Sequence, residues 1–332
     1  MSKIIIDVFG SDNPSELIKG AADAVNAYKD IEIVLPGDAD FIKSELKKHE
    51  YDTKRITVID AKEIITNNES PTEAIRKKKN SSLVKGMERL RSDDDAIAMV
   101  CAGATGAALC GGIFIVGRMN GVDRPALAAV LPTENDAHFC LIDAGANTDC
   151  RPEYLTQFAL LGSYVMKALH GIESPRVALL SNGTEEKKGN DLVHKTFELL
   201  KEMPNINFVG NMEARAALSG NYDVCVCDGF TGNILLKCIE GTATMMAKKL
   251  GSFLKKNAPE GQDMTFVKKS FDQTMKMLDY NSEGGAILLG CKKIIIKAHG
   301  AANARTIVCV TELAKKLSES GMIEKVQKDL AV

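Results

Sequence analysis

The chain has almost no net charge, since 42 Lys and Arg stand against 44 Asp and Glu for a formal −2. Without a global field to attract a polyanion, nucleic acid is excluded as a partner and any anion site must be local. Neither Gly-x-Gly-x-x-Gly nor Gly-x-x-x-x-Gly-Lys-[Ser/Thr] occurs, which argues against a standard dinucleotide or P-loop enzyme. Metal-ligand spacing is missing too. Cys225-x-Cys227 has no second pair nearby and the five histidines are scattered, so no structural metal and no cofactor are expected. Asp7 breaks the first apolar run, so no signal-peptide core forms and a cytoplasmic location is expected. The sequons at Asn80 and Asn182 are then chance matches.

Hydrophobic residues at 45% and charged residues at 26% describe an ordinary globular chain, and 332 residues suffice for a sizeable core. No repeat, low-complexity stretch or Ser/Gly linker marks a boundary. Residues 1–332 are therefore expected to form a single α/β catalytic unit, with room for two subdomains around a central cleft. The nine cysteines are odd in number and several sit in apolar runs, the pattern of reduced core thiols. The charge-free run from Ala96 to Gly117 is long enough to span a bilayer. Its glycines and alanines divide it instead into a strand, a turn at Ala102–Gly106 and a small-residue helix over Ala107–Val116.

Short apolar runs alternate with helical patterns, which predicts an α/β fold with a mostly parallel sheet flanked by helices. Strands are expected at Ile4–Val8, Ile31–Leu35, Ile56–Ile59, Ile97–Cys101, Leu127–Leu131, Phe139–Asp143, Arg176–Leu180, Ile206–Val209, Asp223–Asp228 and Lys293–Lys297. Apolar spacings of three and four predict helices over Pro14–Lys29, Ser81–Leu90, Pro152–His170, Asn190–Glu202 and Thr311–Lys316. A long helical pattern from Gly232 to Lys256, a break at Pro259 and Gly261, and a second helix to Tyr280 interrupt the rhythm as a protruding amphipathic pair, residues 234–281.

Ligands of parallel α/β proteins bind outside the carboxyl ends of the strands. Six such junctions here are rich in Gly, Asn and Asp. After the strand ending at Cys101, Gly103, Ala104, Thr105 and Gly106 open a helix and offer backbone N–H groups to a phosphate, or else the glycines serve close helix–sheet packing. Asp143 with Asn147, and Asp228 with Gly232 and Asn233, repeat one pattern that suits either orientation of a polar ligand or a helix cap. Their recurrence predicts one composite polar cleft. Lys188 and Asn190 lie near a helix start, and His299, after an apolar strand, is either a proton donor or a structural imidazole.

The set Asp7-Val-Phe-Gly-Ser-Asp12, Arg76-Lys-Lys-Lys-Asn-Ser-Ser82, Ala102-Gly-Ala-Thr-Gly106, Gly121-Val-Asp-Arg-Pro-Ala126, Leu141-Ile-Asp-Ala-Gly-Ala-Asn-Thr-Asp-Cys150, Glu185-Glu-Lys-Lys-Gly-Asn190, Cys227-Asp-Gly-Phe-Thr-Gly-Asn-Ile-Leu-Leu-Lys237 and Lys297-Ala-His-Gly300 resembles, in order and spacing, the bacterial phosphate acyltransferases of fatty acid and phospholipid synthesis. Departures are Ser11 in place of a second glycine, Ala104 in place of an asparagine, and Ser181-Asn-Gly-Thr184 in place of Asn-Ile-Gly-Glu.

The resemblance implies conversion of long-chain acyl-acyl carrier protein and inorganic phosphate into acyl phosphate and free carrier protein, feeding glycerol-3-phosphate acylation. It also implies a homodimer with the fold of isocitrate and isopropylmalate dehydrogenases, shared with phosphotransacetylases. Phosphate is already anionic near neutral pH, so direct attack on the thioester needs no catalytic triad. Lys188, Asn233 and His299 are the candidate catalytic residues. Gly103 to Gly106, Asp143, Asn147, Asn190, Asp228 and Gly232 are candidates for holding phosphate and substrate.

Lysines 248, 249, 255, 256, 268, 269 and 276 alternate with apolar residues along the helical pair, which fits an acyl chain, the acidic carrier protein, a membrane surface at the inner face of the cell membrane, or a dimer bundle. A glycerol-3-phosphate acyltransferase is a further partner of the same pathway. The alternatives are a phosphate acetyltransferase using acetyl-CoA, a dehydrogenase of the same fold, or a non-enzymatic scaffold of lipid synthesis.

Overall fold

A computed structural model describes residues 1–257, 263–277 and 284–330. One continuous sheet runs through it. The first block holds β1 (Ser2–Asp7), β2 (Ile31–Gly37), β3 (Ile56–Asp60) and β4 (Ala96–Cys101), and the middle of the chain adds β5 (Ala126–Pro132), β6 (His138–Ile142) and β7 (Arg176–Ser181). β8 (Asn207–Glu213), β9 (Val224–Val226), β10 (Ala286–Leu289) and β11 (Ile294–Lys297) complete it, in the order β3-β2-β1-β4-β11-β10-β5-β6-β9-β7-β8. Among the described residues only the central pairs β11/β10, β10/β5 and β5/β6 are antiparallel, so the sheet is mostly parallel as expected.

Period-2 alternation divides the core between the two faces. Ile4, Ile6, Ala98 and Val100 bury one way with α1 (Pro14–Ala27), α6 (Pro152–His170) and α10 (Ala304–Glu319). Ile5, Met99 and Cys101 bury the other way with α4 (Ser82–Ser92) and α5 (Thr105–Gly111). A sheet covered on both faces requires such uninterrupted apolar strands.

Helix boundaries follow local chemistry. Pro14 and Pro152 open α1 and α6 at positions where no backbone donor is lost. Asn303 and Thr306 cap α10 reciprocally, so that helix starts well before the expected Thr311. The helix expected over Ala107–Val116 begins earlier, at Thr105, and finishes in a π turn over Gly112–Val116. The strand expected at Ile206–Val209 slides to β8, Asn207–Glu213. Four elements lie outside the expected set: β10, α2 (Ala39–Leu46), α3 (Pro71–Lys77) and α11 (Met322–Leu330). α7 (Asp191–Glu202) falls where expected.

The amphipathic pair is α8 (Gly229–Lys256) and α9 (Thr265–Met277); its expected break at Pro259 and Gly261 and its end at Tyr280 lie outside the described residues. Gly251 of α8 leaves room for the Phe271 ring of α9, which a Cβ would approach to 3.4 Å. Met245, Met246, Leu250, Phe253 and Phe266 are exposed. Among the described residues no helix is long and apolar enough to cross a membrane. The run from Ala96 to Gly117 is indeed strand, turn and helix. All nine cysteines are free thiols, five of them buried and Cys238 exposed.

Candidate active site

The loop after β6 is built on one carboxylate. Asp143 is fully buried, and its Oδ1 accepts from the backbone N–H groups of Leu127 at 3.0 Å, Gly145 at 3.0 Å and Ala146 at 2.9 Å. Its Oδ2 accepts from the backbone N–H and the side-chain amide of Asn147, each at 2.8 Å. Burial pushes the Asp143 pKa above the ordinary carboxylate value, and these donors pull it back. Asn147 also donates to the Pro125 carbonyl at 2.8 Å. Asp143 and the Asn147 amide nitrogen are thus engaged by the loop, by Leu127 of β5 and by Pro125, a structural use of two residues expected to orient a ligand.

That loop receives α8. Asp228 caps the helix, accepting from the Thr231 N–H at 2.9 Å and from its hydroxyl at 2.7 Å. Gly232 packs so closely that a Cβ would lie 1.9 Å from the Asp143 carbonyl oxygen. Gly232 thereby docks the helix on the loop. The next residue, Asn233, donates its amide to the Ala144 carbonyl at 3.2 Å.

The loop after β4 is shaped by backbone contact. A Cβ on Gly10 would lie 2.3 Å from the Gly103 Cα, and one on Gly106 would lie 2.7 Å from the Pro71 ring, so both glycines of the Ala102–Gly106 turn serve packing. Ala104 precedes α5 without a side-chain cap, and Thr105 is exposed at the helix start.

α8 separates two cavities, which divides the single composite cleft expected. The smaller, about 190 Å³, sets the polar side chains of Thr105, Asn233, Lys237, Glu240, Lys297 and His299 against an apolar wall that includes Leu127, Leu131 and Leu236, and is named the polar cavity for those six groups. The larger, about 580 Å³, is lined mostly by apolar side chains, including Leu155, Leu179, Leu180, Leu192, Ile234 and Leu235, with Asn190 and Asp228 at its polar side. Asn190 caps α7 by accepting from the Val193 N–H at 3.0 Å. Lys188, exposed on the same loop, lines neither of these cavities. His299 is exposed, and its Nδ1 accepts from the Ala301 N–H at 3.2 Å, an assignment that puts the proton of the neutral ring on Nε2.

Sequence reasoning missed two charged residues here. Asp7, Cys101 and Lys297 end three adjacent parallel strands in register. Asp7 is buried, accepts from the Phe9 N–H at 3.2 Å, and has its pKa pushed up to about 6 by burial. Lys297 donates to the carbonyls of Ala102 and Ala298, and burial lowers its pKa. The available signal was a charged last residue on an otherwise apolar strand.

The comparisons with known proteins agree with this architecture. Residues 2–325 match the family model described as fatty acid synthesis protein. The chain is 44% identical over 332 residues to the phosphate acyltransferase of Bacillus pumilus, with 98% of each chain covered. It is 43% identical over 329 residues to that of Clostridium perfringens strain SM101, covering 99% of this chain and 96% of the relative. In fold it is similar to a phosphotransacetylase from Streptococcus pyogenes, with a TM-score of 0.64 at 17% identity, covering 97% of this chain and 94% of that one. Matched along nearly its whole length, the chain belongs to the phosphate acyltransferase family of fatty acid synthesis proteins.

Proposed function

We propose that the protein transfers a long-chain acyl group from acyl carrier protein to inorganic phosphate, releasing acyl phosphate for acylation of glycerol 3-phosphate. The observation that carries this reading is the pairing, across the first turns of α8, of a small cavity that gathers Thr105, Asn233, Lys237, Lys297 and His299 with a larger one lined mostly by apolar side chains. Phosphate suits the first, beside Thr105, Asn233 and His299. A long acyl chain suits the second, because apolar lining gains free energy in proportion to the apolar surface it removes from water. An acetyl group would leave most of that surface unused.

In the reaction an oxygen of hydrogen phosphate bonds to the thioester carbonyl carbon. The C–S bond breaks, its electron pair leaves with sulfur, and the thiolate takes a proton from solvent. A thiol pKa near ~8.5 makes sulfur a good leaving group. The protein's share is to hold phosphate against the carbonyl and to offer donors to the developing oxyanion. In this reading Asn233, with the amide hydrogen it does not give to Ala144, orients phosphate and His299 supplies an N–H donor; that both line the smaller cavity supports it. Lys188, on the exposed loop whose neighbours Gly189 and Asn190 line the apolar cavity, is assigned to the arriving acyl donor.

The exposed apolar residues of α8 and α9, set among lysines, support a homodimer and a peripheral membrane contact made by this hairpin. Solution molar mass and co-sedimentation with anionic lipid vesicles test the two separately. For the reaction, hydroxylamine trapping of acyl phosphate is run with long-chain acyl-acyl carrier protein, long-chain acyl-CoA and acetyl-CoA in parallel. Product from the long-chain carrier-protein thioester is expected, and product from acetyl-CoA alone would move the protein to the acetyltransferases.

A further inference from the structure

The polar cavity needs a cation to hold a dianion, and Lys188, the lysine among the expected catalytic residues, lines neither cavity. Lys297 does line the polar one. Its side chain rises from the carboxyl end of β11, two residues before His299 and one strand from the β4 end that leads into Thr105. Two of its three N–H donors are held by the carbonyls of Ala102 and Ala298, and among the described residues the third meets no acceptor. The ammonium is thus fixed in direction by backbone and keeps one donor in reserve. Behind it stands Asp7, buried at the end of β1.

We propose that Lys297 is a catalytic residue that binds the attacking phosphate in the polar cavity, and that Asp7, in register with it across β4, is a positioning residue for its ammonium. The inference rests on reading that cavity as the phosphate site. The groups that face Lys297 are Asp7 from β1, Asp12 from the following loop, Cys101 from β4 and Lys237 from α8, while Glu240 and His299 line the same cavity. Asp7 and Asp12 favour the ammonium form and Lys237 opposes it, while burial pushes the Cys101 thiol up and keeps it uncharged. Lys237 is paired with Glu240 at 2.8 Å, which mutes its repulsion. A phosphate dianion entering between Lys297 and Lys237 would bring the negative charge the cavity is arranged to accept.

The test uses the full chain as wild type, Lys297→Met and Asp7→Asn. Initial rates are measured against phosphate at saturating long-chain acyl donor from pH 6 to 9.5. The rise in melting temperature with inorganic phosphate is measured separately, without acyl donor. Loss of one hydrogen bond to a charged group costs roughly tenfold or more in affinity, so Lys297→Met should raise the phosphate KM by at least about that factor and leave the acyl-donor KM nearly unchanged. The same variant should lose the phosphate-dependent melting shift. Asp7→Asn removes an attraction that favours charged Lys297, so the basic limb of kcat/KM for phosphate should move to lower pH.

A purely structural role for the two residues would lower stability in both variants and move neither the phosphate KM nor the basic limb. An unchanged phosphate KM and melting shift in Lys297→Met would overturn the inference, as would an unmoved limb in Asp7→Asn if Lys297→Met fails to fold. The melting shift separates this idea from the reaction itself. A wild type that makes no acyl phosphate yet loses its phosphate-dependent stabilisation on Lys297→Met would remove the function and keep the site.

Discussion

Replacing Gly232 by Ala sets two effects of opposite sign against each other inside one helix. By helix propensity alone the change would stabilise α8 by about 1 kcal/mol. Sterically the new Cβ would lie 1.9 Å from the Asp143 carbonyl oxygen and 2.9 Å from the Cys227 sulfur. Carbon and oxygen settle no closer than roughly 3.3 Å, so helix and loop must separate by more than an ångström. The loop cannot yield easily. Asp143 accepts from five N–H donors, and its backbone is tied to Cys227 by bonds of 3.1 and 2.9 Å through the Asp143 N–H and the Ile142 carbonyl.

Overpacking of this kind costs typically 1–3 kcal/mol or more, so the steric term wins and a net loss of about 2 kcal/mol is expected from urea unfolding. Asn233 moves with the helix, and a displacement near ~1 Å at a reacting site costs on the order of 100-fold in turnover. Gly241 of the same helix is the control, because a Cβ there meets nothing within 4 Å. Gly241→Ala should gain about 1 kcal/mol by propensity and keep full activity. A Gly232→Ala protein as stable and as active as Gly241→Ala would refute the docking of α8 onto the Asp143 loop.

Asp143→Asn puts an amide N–H₂ where at least two N–H donors now find a carboxylate oxygen, and each orphaned donor costs roughly 1–3 kcal/mol, so a large fall in melting temperature is expected. Asp7 gives a pH signature. The folded chain holds its proton up to about pH 6, whereas the unfolded chain releases it near ~4, so folding takes up a proton in that window and stability falls as pH rises through it. Asp7→Asn removes that loss, and the stability difference between variant and wild type should grow in the variant's favour by roughly 2 kcal/mol between pH 4 and 7; a difference constant with pH would contradict the buried, titrating carboxylate. Lys188→Ala, on an exposed loop, should lower the rate with the acyl donor while leaving urea unfolding within about 0.5 kcal/mol of wild type, and an equal loss of both would remove Lys188 from the site.

Much of the fold was legible because its cause is local. Uninterrupted apolar strands such as Ala96–Cys101 and proline-led helices such as Pro152–His170 carry their signals within a few residues. β10 escaped because four apolar residues between Gly284–Gly285 and Gly290 are too short a run to show a period, and the sheet pairing with β5 and β11 defines it. The small, Thr- and Cys-containing start of α10 hid a helix that its Asn303 cap specifies.

For the site, the right junctions were visible but not their facing. Along α8, Thr231, Ile234, Leu235 and Cys238 form one stripe at helical spacing and Asn233, Leu236, Lys237 and Glu240 another, and the two stripes line different cavities. Which stripe meets the phosphate side is set by the contact of Gly232 with Asp143 and of Asn233 with the Ala144 carbonyl, pairs that lie 89 residues apart in the sequence and meet only in the folded chain. Likewise Asp7 and Lys297 sit far apart in sequence and are brought into line on either side of Cys101 through strand register alone.

The most direct measurement is thioester exchange between long-chain acyl-acyl carrier protein and isotopically labelled free carrier protein, with and without inorganic phosphate. Direct attack by phosphate forms no acyl-enzyme, so label should enter the thioester only when phosphate is present, at the rate at which acyl phosphate forms and reverts. Exchange at full rate in phosphate-free enzyme would require a protein nucleophile and would contradict the direct displacement proposed for the polar cavity.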